Sequence, residues 1–168
     1  GRPLDTSAGA TFLLQSCVLD FAGNPDCGYW DGRDALEGII MPRIERALRE
    51  SAGYLLANGY SFPSGSRPIP VLIRPVTTAG SLGGWSVVFH EMELDPLQNA
   101  FLPLPESVGA LEQVVAHELF HAMQDFKLGR RSFFAESLVF VEGTAAEMMD
   151  EIYDEPPTPY SCLRLTMM

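Results

Sequence analysis

Leu111-Glu112-Gln113-Val114-Val115-Ala116-His117-Glu118-Leu119-Phe120-His121-Ala122-Met123-Gln124-Asp125-Phe126 is the stretch on which the reading of this chain turns. Its apolar members Leu111, Val114, Val115, Leu119, Ala122, Met123 and Phe126 recur at helical spacing. Inside it, His117-Glu118-Leu119-Phe120-His121 has the form H-E-x-x-H. Residues four apart share one helix face, so both imidazoles can bind one metal ion. Glu118 follows the first His and can lean over the metal's open position, where a carboxylate takes a proton from water. The plainer alternative is an amphipathic helix whose two His merely fall four apart. A second stretch, Val139-Phe140-Val141-Glu142-Gly143-Thr144-Ala145, speaks against it.

H-E-x-x-H followed about twenty residues later by Glu-Gly-x-Ala resembles the gluzincin metallopeptidases, the group that includes thermolysin and a class of aminopeptidases. Twenty residues separate His121 from Glu142. The resemblance covers residues 117–145. It implies zinc, one ion per chain, held by His117, His121 and Glu142, with Glu118 as general base. It implies peptide bond hydrolysis; of the two kinds, an endopeptidase is favoured here over an aminopeptidase. Outside the motif only likeness of fold supports the comparison.

The pattern also departs from the group. Thermolysin-like relatives carry an Asp one turn after the Glu ligand, where this chain has Ala146. That leaves the residues that orient the zinc His unassigned, with Glu136 and Glu147 as candidates, and each is also an alternative third ligand. A donor for the developing oxyanion is sought among Tyr153, Tyr160 and His90. For either Tyr, a buried ring with a satisfied hydroxyl is the plainer account. Trp85 to Leu94 alternates, with Trp85, Val87 and Phe89 on one face, and reads as one strand. In zincins an edge strand above the metal pairs with substrate backbone, and Trp85 to Glu93 is the candidate here. An internal strand with no substrate role fits the same pattern.

Composition sets outer bounds. A chain of 168 residues, 46% apolar and 20% charged, suits a single globular domain with a sizeable core. The net charge is −11, with only 11 Lys and Arg and no basic run, which argues against nucleic acid or an anionic membrane as main partner. A peptide or protein substrate fits better. No stretch reaches the roughly eighteen apolar residues of a membrane span. The run from Thr11 to Leu19 lacks the flanks of a signal peptide and reads as a strand. The first residue is Gly1, which suits a processed or trimmed product, secreted or in a cell envelope. Cys17 and Cys27 can close a small loop, leaving Cys162 over.

The remaining elements follow from periodicity. Residues 1–10 read as a loose terminus and Thr11 to Phe21 as a strand. Asp34 to Ala57 is a helix that kinks or starts at Pro42 and stops at Asn58-Gly59. Ile69 to Val76 is a strand, and Pro70 and Pro75 imply that it lies at a sheet margin or is short. Ser107 caps the metal helix, which ends near Leu128-Gly129. Ser132 caps the Glu142 helix, which runs to about Tyr153 and stops at Pro156. The expected architecture is α+β and zincin-like: a small mixed or antiparallel sheet of three or four strands packed on a backing helix and the H-E-x-x-H helix, with the glutamate helix following. The short C-terminal part supplies only a stub of a lower subdomain. A zincin-fold domain that binds metal without useful turnover is the alternative function.

Overall fold

The computed structural model describes residues 1–6, 9–20, 22–62, 67–76, 82–97, 108–135 and 138–153. The architecture is α+β, a small mixed sheet with three helices. In chain order the elements are β1 (Arg2–Asp5), β2 (Thr11–Gln15), β3 (Val18–Leu19), β4 (Pro25–Asp26), α1 (Asp34–Ala57), β5 (Ile69–Ile73), β6 (Gly83–Ser86), β7 (Glu91–Leu94), α2 (Val108–Ala135) and α3 (Leu138–Ile152). A short 3₁₀ turn, Gly28–Trp30, precedes α1.

The main sheet has the order β1-β2-β5-β7-β6. The inner pairs β2–β5 and β5–β7 are parallel, and the outer pairs β1–β2 and β6–β7 are antiparallel. The pattern of burial follows from this. On β2, Phe12 and Leu14 are buried while Thr11, Leu13 and Gln15 are half-exposed, the period of two of a strand with one face on the core. On central β5, Ile69, Val71, Leu72 and Ile73 are all buried, as expected of a strand flanked on both sides.

Several sequence expectations are corrected. Residues 2–5 are not a loose terminus: they pair with β2 in the register Leu4↔Phe12 and bury Leu4. The sheet therefore has five strands rather than three or four. The strand expected over 11–21 ends at Gln15, and Cys17 bonds to Cys27 beside the small β3–β4 pair. β5 is central despite Pro70. The β5–β7 pairing begins only at Val71, so the missing N–H of Pro70 leaves no gap on that side. Residues 85–94 are not one strand. The turn Val87–His90 folds them into the β6–β7 hairpin, closed by the His90 amide donating to the Ser86 carbonyl at 2.7 Å.

The helices agree more closely with expectation. α1 spans the expected 34–57, with Pro42 on its exposed side inside the helix rather than at its start. It ends in a Schellman arrangement: Tyr60 N–H donates to the Leu55 carbonyl and Gly59 N–H to the Leu56 carbonyl, with Gly59 at φ +84°. In α2, Gly129 (φ 73°, ψ 157°) breaks the helix where the sequence suggested a stop. Ser107, the Pro156 stop and Cys162 lie outside the described residues, as does the side chain of Ser132.

α2 is the central element. It lies between α1, α3 and the β6–β7 hairpin, and from Leu111 to Asp125 only Val114 is not fully buried. A helix buried on nearly all sides is usually apolar all round. This one carries Glu112, Gln113, His117, Glu118, His121, Gln124 and Asp125 in its buried part. Burying so many polar groups is costly unless partners are supplied. Arg43 of α1 supplies one, donating from Nε and Nη2 to the two oxygens of Glu112 at 2.8 Å each, with Arg46 adding a third contact at 3.3 Å. Among the described residues no helix is long and apolar enough to cross a membrane.

Candidate metal centre

Helix periodicity puts His117 and His121 one turn apart on α2, and α3 runs beside α2 so that Glu142 faces both. The Nε2 atoms of His117 and His121 lie 3.0 Å apart. Glu142 Oε2 is 3.2 Å from His117 Nε2, and its Oε1 is 3.3 Å from His121 Nε2. Both His are buried and Glu142 is partly exposed. Ligands at zinc bond lengths of about 2.0–2.1 Å in a tetrahedron are separated by about 3.3–3.4 Å. The two His meet different oxygens of Glu142; taking one ligand atom from each residue, all three lie within 4.8 Å of one another, so the three residues can hold one metal ion.

Protonation at the site follows from a neighbour. Gln124 donates from Nε2 to the Val141 carbonyl at 3.1 Å and to Thr144 Oγ1 at 2.7 Å. A carbonyl only accepts, so the amide orientation is settled, and Gln124 Oε1 faces His121 Nδ1 at 2.8 Å. His121 Nδ1 must therefore carry the proton. In the neutral ring the Nε2 lone pair then points at His117 Nε2 and at the Glu142 carboxylate. Three electron-rich atoms converge on one point, and only a cation or shared protons reconcile them. Protons are held tightly there. Burial lowers the His121 pKa, but the hydrogen bond to Glu142 and the charges of Glu118 and Glu142 outweigh it and the net shift is upward. Hydrogen bonds from His117 and His121 hold Glu142 well below the usual carboxylate range.

Glu118 is not part of this trio. It is 2% exposed, on α2 one residue past His117, close enough for its charge to act on His121. The strand β6 passes directly over it. A Cβ at Gly83 would stand 2.7 Å from Val114 Cγ1 and 3.2 Å from Glu118 Cγ, so only glycine lets the backbone come this near. Among the described residues β6 is the last strand of the sheet and pairs with β7.

The other candidates lie elsewhere. Tyr153 donates to Glu50 of α1 at 3.1 Å, and lies eleven residues past Glu142, about 16 Å along the helix. Glu147 is exposed and lines a groove between α1, α2 and α3 with Tyr54, Phe120 and Lys127. His90 ends the hairpin turn and bonds through Nδ1 to Asp125 Oδ2 at 2.8 Å. Trp85 is on β6 and donates to the same oxygen at 3.0 Å. Val87 and Phe89 belong to the turn, Val87 buried and Phe89 exposed, so the face that sequence alternation gave Trp85, Val87 and Phe89 does not exist. Glu136 and Tyr160 lie outside the described residues.

Sequence reasoning passed over Gln124, Thr144, Asp125 and Gly83. The first three carried a readable signal, being polar residues within a turn of the metal candidates on otherwise apolar helices. Gln124 orients His121 and ties α2 to α3 at once. Gln124→Leu is expected to weaken metal binding about 10–100-fold, read by competition against a chelator of known affinity, with helix content unchanged. Unaltered affinity would remove Gln124 from the site.

Comparison with protein-family models, with curated proteins and with solved structures finds no match.

Proposed function

We propose that this protein is a zinc-dependent peptidase, in which His117, His121 and Glu142 hold the ion and Glu118 is the general base. The observation that carries the reading is the convergence of those three donors within 4.8 Å of one another, with a second, buried carboxylate, Glu118, next to them. Three protein ligands leave a coordination position open, the mark of a catalytic rather than a structural site. Two His and a carboxylate also suit non-haem iron, so zinc rests on the H-E-x-x-H helix rather than on ligand type.

When bound, zinc supplies Lewis acidity toward water and a substrate carbonyl. The chain's own residues do the rest. Glu118 accepts a proton from the attacking water as the C–O bond forms, and delivers it to the amide nitrogen as the C–N bond breaks. Its burial keeps competing solvent from that carboxylate. β6, the last strand of the sheet among the described residues, lies on Glu118, and a strand in that place suits main-chain pairing with an extended peptide. Pairing along a strand suits internal peptide bonds, hence an endopeptidase. The Cys17–Cys27 bond fits a secreted or envelope location.

One observation favours the second reading, a metal-binding domain without turnover. Tyr153, a candidate for the oxyanion, is engaged with Glu50. The two readings part in one assay. Protein loaded with zinc is expected to cleave casein, to stop when the metal is stripped by a chelator, and to resume when zinc is restored. Full zinc occupancy with no cleavage of casein or of a peptide library would overturn the peptidase reading and leave the binding one.

A further inference from the structure

A single carboxylate joins the β6–β7 hairpin to the metal helix. Asp125, one turn beyond His121, is 2% exposed. Its Oδ2 accepts from Trp85 Nε1 and from His90 Nδ1, and its Oδ1 has no hydrogen-bond partner among the described residues. Both donors belong to the hairpin, Trp85 on β6 and His90 at the end of the turn. The neighbouring Phe126 receives the His90 ring in a stack, centroids 5.8 Å apart, and the Trp85 ring edge-on at 5.9 Å. At the start of β6, Gly83 rests on Val114 and Glu118. The strand is thus pinned to α2 at two places, and both metal-binding His fall between them along the helix.

We propose that Asp125 is a positioning residue for peptide substrates: it latches the β6–β7 hairpin along the metal helix, so that β6 stands at a fixed distance from the metal centre. The inference rests on the peptidase reading above. A buried carboxylate is tolerated only while its donors stay in place, and among the described residues both of its donors belong to the hairpin. His90 adopts φ +52°, an unfavourable conformation for a residue with a Cβ. Such a residue persists where the surroundings over-determine it, and here the Asp125 bond and the Phe126 stack do so. The tip adds little packing of its own, because Val88 and Phe89 are exposed. β7 is anchored by β5, but among the described residues β6 is paired only to β7, so freeing the turn end loosens β6 over the site. Substrate binding then carries an extra cost of ordering the strand, while the metal ligands and Glu118 are untouched.

The test uses zinc-loaded full-length protein, with Asp125→Asn and the double variant Trp85→Phe, His90→Phe, which keeps both rings and removes both donors. Two zinc-directed probes are titrated by calorimetry: acetohydroxamate, which reaches only the metal, and a hydroxamate on an extended peptide. KM for a peptide substrate and Kd for the peptide hydroxamate are expected to rise about 10-fold in both variants, the effect of ordering one or two side chains. The kcat should stay within about threefold and acetohydroxamate affinity should not change. Unchanged KM and peptide-probe affinity in both variants would overturn the latch while leaving the peptidase reading standing. So would equal losses for the two probes, which would show a disturbance of the metal helix as a whole. If Asp125→Asn does not fold, the double variant decides alone. Wild-type protein that binds acetohydroxamate but neither binds the peptide probe nor cleaves peptide would remove the peptidase reading, and the latch with it.

Discussion

Glu118→Gln protein is expected to bind zinc as the wild type does and to hydrolyse peptides about 10²–10⁴-fold more slowly, the usual worth of a positioned general base. Gln has nearly the shape of Glu, so the packing of Gly83 and Val114 around that side chain is kept. What is lost is the ability to take up a proton. The three ligand atoms belong to other residues and are undisturbed. The measurement is kcat on a peptide substrate, with metal content determined on the same sample. Loss of zinc in step with activity would mean that Glu118 supports the metal rather than the proton transfer. Unchanged kcat would move the base elsewhere.

Glu142→Ala is expected to abolish tight zinc binding and the stabilisation that goes with it. In the wild type, zinc at 1,000 times its dissociation constant adds about 4 kcal/mol to the folded state, roughly 8–16 °C in Tm for a chain of this size. The variant should gain almost none, with zinc content near zero by elemental analysis. Full zinc retention would return the third-ligand role to another carboxylate.

The pH dependence of that gain has a defined sign. Without zinc, the raised pKa of His121 contributes stability that is fully present below about 6.5 and is lost as pH rises through the folded-state value. The depressed pKa of Glu142 contributes stability present above about 4.5 and lost only as pH falls through its low folded-state value. Zinc requires His121 deprotonated. The zinc-induced rise in Tm is therefore held down at low pH and grows as pH rises through the folded-state His121 pKa, above about 6.5.

Much of the centre was legible in the chain because its information is local. His117 and His121 are one helical turn apart, so any helix through them places both rings on one side. The stop at Asn58-Gly59 was likewise readable, since a positive φ at that position suits glycine. The hairpin was not. Residues 85–90 alternate like a strand and hold no Asn-Gly or Asp-Gly pair, and the turn is made by Ser86 and a left-handed His90 that Asp125, thirty-five residues away, helps to hold. Pro70 and Pro75 implied a marginal or a short strand; β5 is short, and its inner place in the sheet was not readable, because pairing on each side of a strand depends on where its neighbours begin.

The sequence by itself determined the helix, the two imidazoles with Glu118 between them, and a small-residue helix bearing Glu142. Those follow from spacing along a single segment, where 3.6 residues per turn leaves little freedom. Only the tertiary structure decided that Glu142 meets both His, that Gln124 sets the tautomer of His121, that β6 lies on Glu118, and that α2 is buried nearly all round. Each of these depends on contacts between segments distant in the chain. Such contacts are selected by packing and by the need to satisfy buried polar groups, and neither leaves a periodic trace in the sequence.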